Sequence, residues 1–240
     1  MNRIKCSVIG NSVALRVRPP LQHPLNLNYS VILEDMLKKE YKSDNVQIDN
    51  KGVGAFTIHN AINNIDTYIQ TFPDFFIINF GVVDASSREI PLWFYRLAQS
   101  RRDRLVNKVS SAIYRNLLIK IRPTLVRLRG KRSWISKKSF TKYYNELFSQ
   151  LLKETNARII AFPINLANER VEKELPGSFK KHQEYNEIIK KTTLNHNQYF
   201  VDLSFLNSEK HYPDGVHFST EGHKIVAVEI FKVIKKLRTV

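Results

Sequence analysis

The stretch IKCSVIGNS, residues 4–12, combines a strand signal with the kind of turn that presents a reactive side chain. Residues 4–9 are mostly apolar and carry a single charge, which is typical of a parallel strand buried on both faces of a sheet. Gly10 then permits a tight turn that exposes the hydroxyl and the backbone N–H of Ser12. Taken alone, this combination is most often an ordinary turn, so its meaning depends on the rest of the chain.

The rest of the chain alternates between strand and helix patterns. This alternation predicts one α/β domain spanning residues 1–240, with a parallel sheet covered by helices on both faces. A chain of 240 residues is long enough to bury a substantial core. The further predicted strands are 46–48, 75–80, 158–162 and 199–203, and the predicted helices are 31–41, 58–69, 140–154 and 221–237.

One segment, residues 88–138, departs from this scheme through its charge. It contains fifteen Lys or Arg residues and two acidic ones, Glu89 and Asp103, and so carries +13 of the total net charge of +16. The segment is too long for a crossover loop and too basic for a core element, which predicts an insertion over or beside the carboxyl end of the sheet, where ligands bind. Within it, residues 105–118 fit an amphipathic helix whose apolar residues lie on one side. Those apolar residues are Val106, Val109, Ile113 and Leu117.

Two other strand ends carry candidate functional residues, because ligands of parallel α/β sheets bind beyond the carboxyl ends of the strands. Gly52 follows the second strand, and its N–H has no side chain to keep it from a developing oxyanion. Asp84 follows the third predicted strand and suits either a helix cap or a substrate contact. Each residue alone is more typical of a turn than of a site.

The most specific signal is the stretch YPDGVHFSTEGH, residues 212–223, which places Asp214 three residues before His217. A serine nucleophile needs a neighbouring base, and a histidine base needs a carboxylate that fixes its tautomer. Asp214 and His217 can supply both to Ser12. A metal site is less favoured because no third ligand is evident. His223 falls on the predicted final helix, where a structural role is expected.

These pieces together resemble the SGNH/GDSL hydrolase superfamily over nearly the whole chain. Residues 10–13 look like its Gly-Asp-Ser-Leu block, Gly52 falls at the glycine of the second block, and residues 81–84 match the Gly-x-Asn-Asp block. Residues 214–217 are similar to the Asp-x-x-His block, including the Ser-x-x-Gly-His that follows it. The resemblance implies a three-layer, flavodoxin-like α/β/α fold, with Ser12, His217 and Asp214 as the catalytic residues and no cofactor or metal.

Two positions depart from the family pattern. Asn11 replaces the aspartate beside the nucleophile, a nearly isosteric change. Val83 replaces the asparagine that donates to the oxyanion, and a valine side chain cannot donate. The remaining oxyanion donors would be the N–H groups of Ser12 and Gly52, with Arg88, Asn50 or Asn79 as candidates for the third.

The resemblance implies hydrolysis of a small acyl ester, with an acetyl group on a carbohydrate as the leading expectation. By analogy within the superfamily, the substrate would be linked to the synthesis of bacterial surface polysaccharides. Two alternatives stay open at this stage. An O-acyltransferase would use the same three residues, and a degenerate, non-catalytic glycan binder would account for Val83.

Composition bears on partners and location. A pI near 9.9 suits an anionic partner, for which residues 88–138 favour an anionic membrane surface or an acidic glycan. Nucleic acid is less favoured because no recognised binding module is present, and a solvated basic face is the plainest interpretation.

Cys6 alone cannot form an intrachain disulfide, and the chain starts without a signal-peptide pattern. We therefore expect a cytoplasmic protein, with a peripheral position at the inner membrane face as the alternative, and the oligomeric state stays open.

Overall fold

The computed structural model describes residues 3–15, 27–42, 45–100, 102 and 104–238. Within these residues, five strands form one fully parallel sheet in the order β2-β1-β3-β4-β5, the order of flavodoxin-like folds. The predicted strands are confirmed, although the last spans two residues rather than five. They are β1 (Ile4–Gly10), β2 (Val46–Asn50), β3 (Phe75–Asn79), β4 (Arg158–Ala161) and β5 (Tyr199–Phe200).

Helices connect the strands and form the two outer layers. On one face α2 packs against α13, and on the other α9 packs against α3, α4 and α11. The predicted three-layer α/β/α fold is therefore confirmed. The helices are α1 (Ser12–Leu15), α2 (Tyr29–Tyr41), α3 (Ile58–Ile62), α4 (Ile65–Ile69), α5 (Val82–Ala85), α6 (Leu92–Ala98), α7 (Leu105–Ile113), α8 (Arg122–Leu128), α9 (Lys137–Glu154), α10 (Glu169–Glu174), α11 (Ser178–Asn195), α12 (Ser208–His211) and α13 (Thr220–Arg238). A π-helical turn, Tyr114–Leu118, continues α7.

The core lies between the sheet and these layers. Every residue of β3 is buried, and most of β1 is buried as well. His223 is fully buried on α13, where its Nδ1 accepts the Tyr29 N–H at 3.1 Å. This contact gives His223 the expected structural role, because it ties α13 to the start of α2.

The helices differ from the sequence prediction in several places. The helix predicted over residues 58–69 is divided at Asn63 and Asn64 into α3 and α4. Helix α11 was not predicted at all. Its buried side includes Ser178, His182 and Thr193, so the apolar spacing that identifies an amphipathic helix is weak.

The basic insertion is closed at its base by an antiparallel bridge between Ser87 and Ser133. It has a small core of its own around Ile90, Ala98 and Tyr114. The buried Glu89 accepts hydrogen bonds there from the Tyr114 hydroxyl at 2.9 Å and from Arg122 Nε at 3.1 Å. The last residues of the predicted insertion belong to α9, and residues 101 and 103 lie outside the described part of the chain.

None of the helices in the described ranges is both long enough and apolar enough to cross a membrane.

Candidate active site

The structure brings Ser12, His217 and Asp214 together in one line of hydrogen bonds, although the serine is more than two hundred residues from the other two. Ser12 follows β1 directly, and its Oγ lies 2.8 Å from His217 Nε2. His217 Nδ1 lies 2.8 Å from Asp214 Oδ2. All three residues are half-buried, so they are shielded from bulk water and still open to a ligand. This is the geometry that a serine nucleophile, its base and an orienting carboxylate require.

Asp214 is held as an anion by its own loop. Burial raises the pKa of its carboxyl, but the hydrogen bonds from the His217 side chain and from two backbone N–H groups outweigh burial, and the pKa lies below its ordinary value. The N–H groups of Val216 and His217 donate to Asp214 Oδ1 at 2.9 and 2.7 Å. An ionised Asp214 keeps the His217 proton on Nδ1, which leaves Nε2 as an acceptor for the Ser12 hydroxyl.

Two asparagines after β4 brace the loop that carries Asp214 and His217. Asn165 Nδ2 donates to the Val216 carbonyl at 2.9 Å, and Asn168 Nδ2 donates to the Pro213 carbonyl at 3.3 Å. His182 Nδ1 lies 2.8 Å from the Asn165 carbonyl. Burial lowers the pKa of His182 to about 4, so this histidine is neutral at physiological pH.

These bracing residues were not predicted from the sequence. The only sequence signal for them is their position just beyond the predicted strand 158–162, the same strand-end rule that pointed to Gly52 and Asp84. Their partners lie about fifty residues further along the chain, so the contacts themselves depend on the fold.

The Gly52 N–H, predicted to bind the oxyanion, is occupied in the structure. It donates to Asn50 Oδ1 at 2.9 Å, and Gly52 does not line the cleft around Ser12. Gly54 and Ala55 do line that cleft, and within the described residues neither N–H has an acceptor. Ala55 also has a φ of 59°, a left-handed backbone that is costly for a residue with a Cβ. At this point of the chain the cleft around Ser12 is thus lined by Gly54 and Ala55 and not by Gly52.

Asn11 and Asp84, the two other candidate binding residues, are both fully buried and are not among the residues that line the cleft. Asn11 Oδ1 accepts the Val13 N–H at 3.0 Å and so holds the turn that presents Ser12. Asp84 Oδ1 accepts the Ile58 N–H at 2.9 Å at the start of α3. Burial raises the pKa of Asp84 to about 7, against the opposing effects of its hydrogen bonds and of Arg88.

Of the side chains considered as a third oxyanion donor, Arg88 alone reaches the cleft. The Asn79 amide donates to the Pro163 carbonyl at 3.4 Å, and the Asn50 amide donates to the Ala14 carbonyl and to Ser30 Oγ. Arg88 lines the cleft together with Val83. Its Nη2 donates to the Val83 carbonyl at 3.2 Å, and its guanidinium carbon lies 4.1 Å from the centroid of the Trp134 ring.

The cleft has a volume of about 850 Å³ and joins the triad to the basic insertion. One side is formed by the triad and by residues 53–55. The insertion and its flanks contribute cationic, aromatic and amide side chains, and α10 contributes a further cation and an acid. These residues are Arg88, Tyr95, Gln99 and Trp134, and from α10 Arg170 and Glu174.

A parallel sheet of this strand order, with a serine after β1 hydrogen-bonded to an Asp-x-x-His loop before the last helix, defines an ester hydrolase of the SGNH type. The model of the GDSL-like lipase/acylhydrolase family matches residues 8–225, and the chain belongs to that family. A search of curated protein sequences gave no match.

Solved structures of similar fold include a lipase/acylhydrolase from Enterococcus faecalis, with a TM-score of 0.65, 16% identity and coverage of 97% of this chain and 96% of the other. The acetyl xylan esterase AlAXEase gives a TM-score of 0.65 at 17% identity, covering 96% and 100% of the two chains. A tryptophan-to-isoleucine variant of Axe2, an acetyl xylan esterase from Geobacillus stearothermophilus, gives 0.63 at 17% identity, covering 95% and 93%. At these identities the similarity establishes the fold.

Proposed function

We propose that this enzyme removes a small acyl group, acetyl above all, from an ester on a carbohydrate. The observation that carries the proposal is the unbroken hydrogen-bonded line from Ser12 through His217 to Asp214, which begins in the 850 Å³ cleft. A nucleophile with its base 2.8 Å away is already arranged for attack on a bound ester, and no cofactor is needed for that chemistry.

In the first half-reaction, Ser12 Oγ attacks the ester carbonyl carbon while His217 Nε2 takes the hydroxyl proton. Asp214 stabilises the imidazolium that results. Collapse of the tetrahedral intermediate breaks the bond to the sugar oxygen, and His217 returns its proton to that oxygen. The deacylated sugar leaves, and the acyl group stays on Ser12 as an ester.

The carbonyl oxygen of the intermediate carries a negative charge that needs hydrogen-bond donors. We assign this role to the N–H of Ser12 and to the N–H groups of Gly54 and Ala55, which have no acceptor within the described residues. Val83 adds no donor from its side chain. Loss of one such donor typically costs ~10²–10³ in kcat, so the site should be slower than one with a complete set.

In the second half-reaction, water attacks the acyl-enzyme with His217 as the base and releases the acid and free Ser12. A sugar hydroxyl in place of that water would make the reaction a transfer. The two outcomes separate when an alcohol acceptor is added, since a transferase would then form the new ester in preference to free acid.

The carbohydrate part of the proposal rests on the cleft walls. Trp134 and Tyr95 offer apolar faces, and Gln99 and Arg88 offer hydrogen-bond donors, a combination suited to a sugar ring with its hydroxyls. Two proteins of similar fold are acetyl xylan esterases, which makes acetylated oligosaccharides the first substrates to assay. Acetylated precursors of bacterial surface polysaccharides are the second group.

The test combines active-site labelling with turnover. The parent should react with a fluorophosphonate and hydrolyse p-nitrophenyl acetate and an acetylated xylo-oligosaccharide. Ser12→Ala and His217→Gln should abolish labelling and turnover and leave the unfolding midpoint nearly unchanged. Ser149→Ala, an exposed serine on α9, is the matched control and should behave as the parent. Labelling that persists in Ser12→Ala refutes the nucleophile, and a preference for long-chain over acetyl esters refutes the acyl group.

A further inference from the structure

Helix α7 presents its apolar side to solvent. Its apolar stripe continues into the π-helical turn that follows, and each residue of the stripe is between 42% and 79% exposed. The spacing of three and four residues places these side chains along one side of the helix. The stripe consists of Leu105, Val106, Val109, Ile113 and Leu117.

The side of α7 that faces the protein adjoins this stripe and is polar. Asn107 and Ser110 are buried, and Asn107 Nδ2 donates to the Leu97 carbonyl at 3.0 Å. Tyr114, also buried, donates to Glu89 at 2.9 Å. These bonds fix the rotation of the helix, because turning the stripe inward would leave buried polar groups without partners. The orientation is therefore the reverse of that of an ordinary surface helix.

Exposed apolar residues are concentrated in this part of the molecule. Fourteen large hydrophobic residues in the described ranges are exposed, and eight of them lie between residues 105 and 128. Single exposed hydrophobic residues need no explanation, but a contiguous group marks a surface that something covers.

A basic depression lies on the same helix. It has a volume of about 520 Å³, and Arg102, Lys108 and Arg115 line it together with the polar side chains of Asn107 and Asn116. Lys108 and Arg115 are seven residues apart, so they lie two turns apart on one side of the helix. We call the apolar stripe and this depression together the α7 surface.

We propose that the α7 surface docks on an anionic phospholipid bilayer, with the stripe in the acyl-chain boundary and the depression on headgroup phosphates. A helix with aliphatic residues on one side and Lys or Arg beside them is typical of an interfacial membrane helix. An acidic polysaccharide would leave the stripe in water. A second copy of the chain would bring together two segments that each carry a net charge of +13.

Docking in this way would bring the active site close to the membrane. Helix α6 packs against α7, and α6 with its C-cap carries Tyr95 and Gln99, which line the catalytic cleft. One helix thus separates the α7 surface from the site where the ester binds. The proposal itself does not depend on the substrate, because membrane binding is measured without turnover.

The experiment is cosedimentation of the full-length protein with large vesicles of phosphatidylcholine containing one third phosphatidylglycerol. We expect binding to these vesicles at low salt, weaker binding at physiological salt, and little binding to phosphatidylcholine alone. Each Lys or Arg at such a surface contributes about fivefold to partitioning, so the triple variant Arg102→Gln, Lys108→Gln, Arg115→Gln should bind roughly 100-fold more weakly. The double variant Val109→Gln, Ile113→Gln should bind these vesicles about tenfold or more weakly than the parent.

Matched controls separate the α7 surface from overall charge and hydrophobicity. Lys142→Gln, Lys180→Gln, Lys191→Gln removes the same charge from other exposed positions, and Phe72→Gln, Phe205→Gln removes two exposed apolar side chains. Both should bind vesicles within about threefold of the parent. All variants should keep the parent's circular dichroism and its turnover of p-nitrophenyl acetate, which shows that they are folded.

Three results would overturn the proposal. The first is a parent that does not bind anionic vesicles at low salt. The second is equal loss of binding in the α7 variants and in their controls. The third is a concentration-dependent dimer, seen by sedimentation velocity, that the Val109→Gln, Ile113→Gln variant abolishes, since the stripe would then be covered by a second copy. Binding of a soluble acidic polysaccharide without vesicle binding falls under the first result and would assign the depression to glycans.

Discussion

The Asn168 side chain packs against the backbone of Gly215 so closely that a Cβ on Gly215 would lie 2.3 Å from Asn168 Oδ1. The same Oδ1 accepts the Val171 N–H at 3.0 Å in the first turn of α10. Gly215 has a φ of 77°, which only glycine adopts without strain. The loop between Asp214 and His217 is therefore held against α10, and the positions of the acid and the base depend on that contact.

Gly215→Ala should lower kcat by about tenfold or more, because the loop must move to accommodate the Cβ and the His217 ring moves with it. The free energy of unfolding should fall by about 2 kcal/mol or more, from the strained φ and the close contact together. Turnover of p-nitrophenyl acetate and urea unfolding measure the two effects. Gly130→Ala is the control, since Gly130 has a φ of 64° but no atom within 4 Å of the added Cβ.

The control should lose about 1 kcal/mol of stability and keep the parent's kcat. An unchanged kcat in Gly215→Ala would show that the triad tolerates movement of this loop, and the bracing role of Asn168 would then be wrong.

Ala55→Gly should raise the stability of the protein. The left-handed backbone of Ala55 costs a residue with a Cβ roughly 1–2 kcal/mol, and glycine removes most of that cost while losing some of the gain through the entropy of the unfolded chain. We expect a gain of about 0.5–1 kcal/mol in urea unfolding. The kcat should stay within about threefold of the parent's, because the Ala55 N–H that we assign to the oxyanion is retained. A loss of stability would mean that residue 55 does not hold this conformation in solution.

Much of the fold could be predicted because the apolar residues of a strand indicate by themselves that the strand is buried. Residues 75–78 are apolar throughout, and all of them are buried in β3. Helix α11 could not be predicted in the same way. Its inward side includes His182, whose burial depends on Ser86 and on the Asn165 carbonyl, both distant in the chain. The stripe on α7 was recognised, but the pattern alone does not say whether such a stripe faces the core or the solvent.

The active site likewise has parts that local sequence predicts and parts that depend on contacts between distant residues. The Asp214 and His217 pair is local in sequence, so its spacing was informative. Whether a backbone N–H is free is decided by three-dimensional contacts, and the engagement of Gly52 by Asn50 is not visible in the spacing of glycines. Asn165 donates to the carbonyl of Val216, fifty-one residues further along the chain, and no local sequence pattern predicts such a contact.

The buried carboxyl of Asp84 should make stability depend on pH in a defined direction. Its pKa is raised from 3.8 to about 7, so between these values the folded protein holds a proton that the unfolded chain has released, and stability rises as the pH falls. His182 opposes this: its pKa is lowered from 6.5 to about 4, and stability contributed by the neutral ring is lost as the pH falls through that range.

Asp84→Asn removes the titrating carboxyl, and with it the Asp84 contribution to the pH dependence, and keeps an acceptor for the Ile58 N–H. We expect the variant to be more stable than the parent at pH 8 by roughly 2–4 kcal/mol, with the gain vanishing near pH 4. Urea unfolding across this range measures it. Asp66→Asn, at an exposed carboxyl on α4, should change little at any pH. A variant less stable than the parent at pH 8 would show that the Asp84 anion has a partner that compensates its burial.

Val83 offers the sharpest test of how the oxyanion is bound. Its side chain lines the cleft with Ser12 and cannot donate, while its carbonyl is held by Arg88 Nη2. If a donor is missing there, Val83→Asn supplies a hydrogen bond that forms mainly in the transition state, which raises kcat and leaves KM nearly unchanged. We expect a gain of about tenfold, below the usual ~10²–10³ for one donor because the surrounding residues do not orient an asparagine.

Val82→Asn places the same side chain at the neighbouring residue of the cleft and should give no gain. An unchanged or lower kcat in a folded Val83→Asn variant would mean that another group already fills the role, and Arg88 is then the group to examine. In that case Arg88→Ala should lower kcat at constant KM, and Arg88→Lys should restore part of it. If Arg88 serves only to bind the sugar, Arg88→Ala should raise KM and leave kcat close to the parent's. The split between kcat and KM therefore decides which donor stabilises the oxyanion.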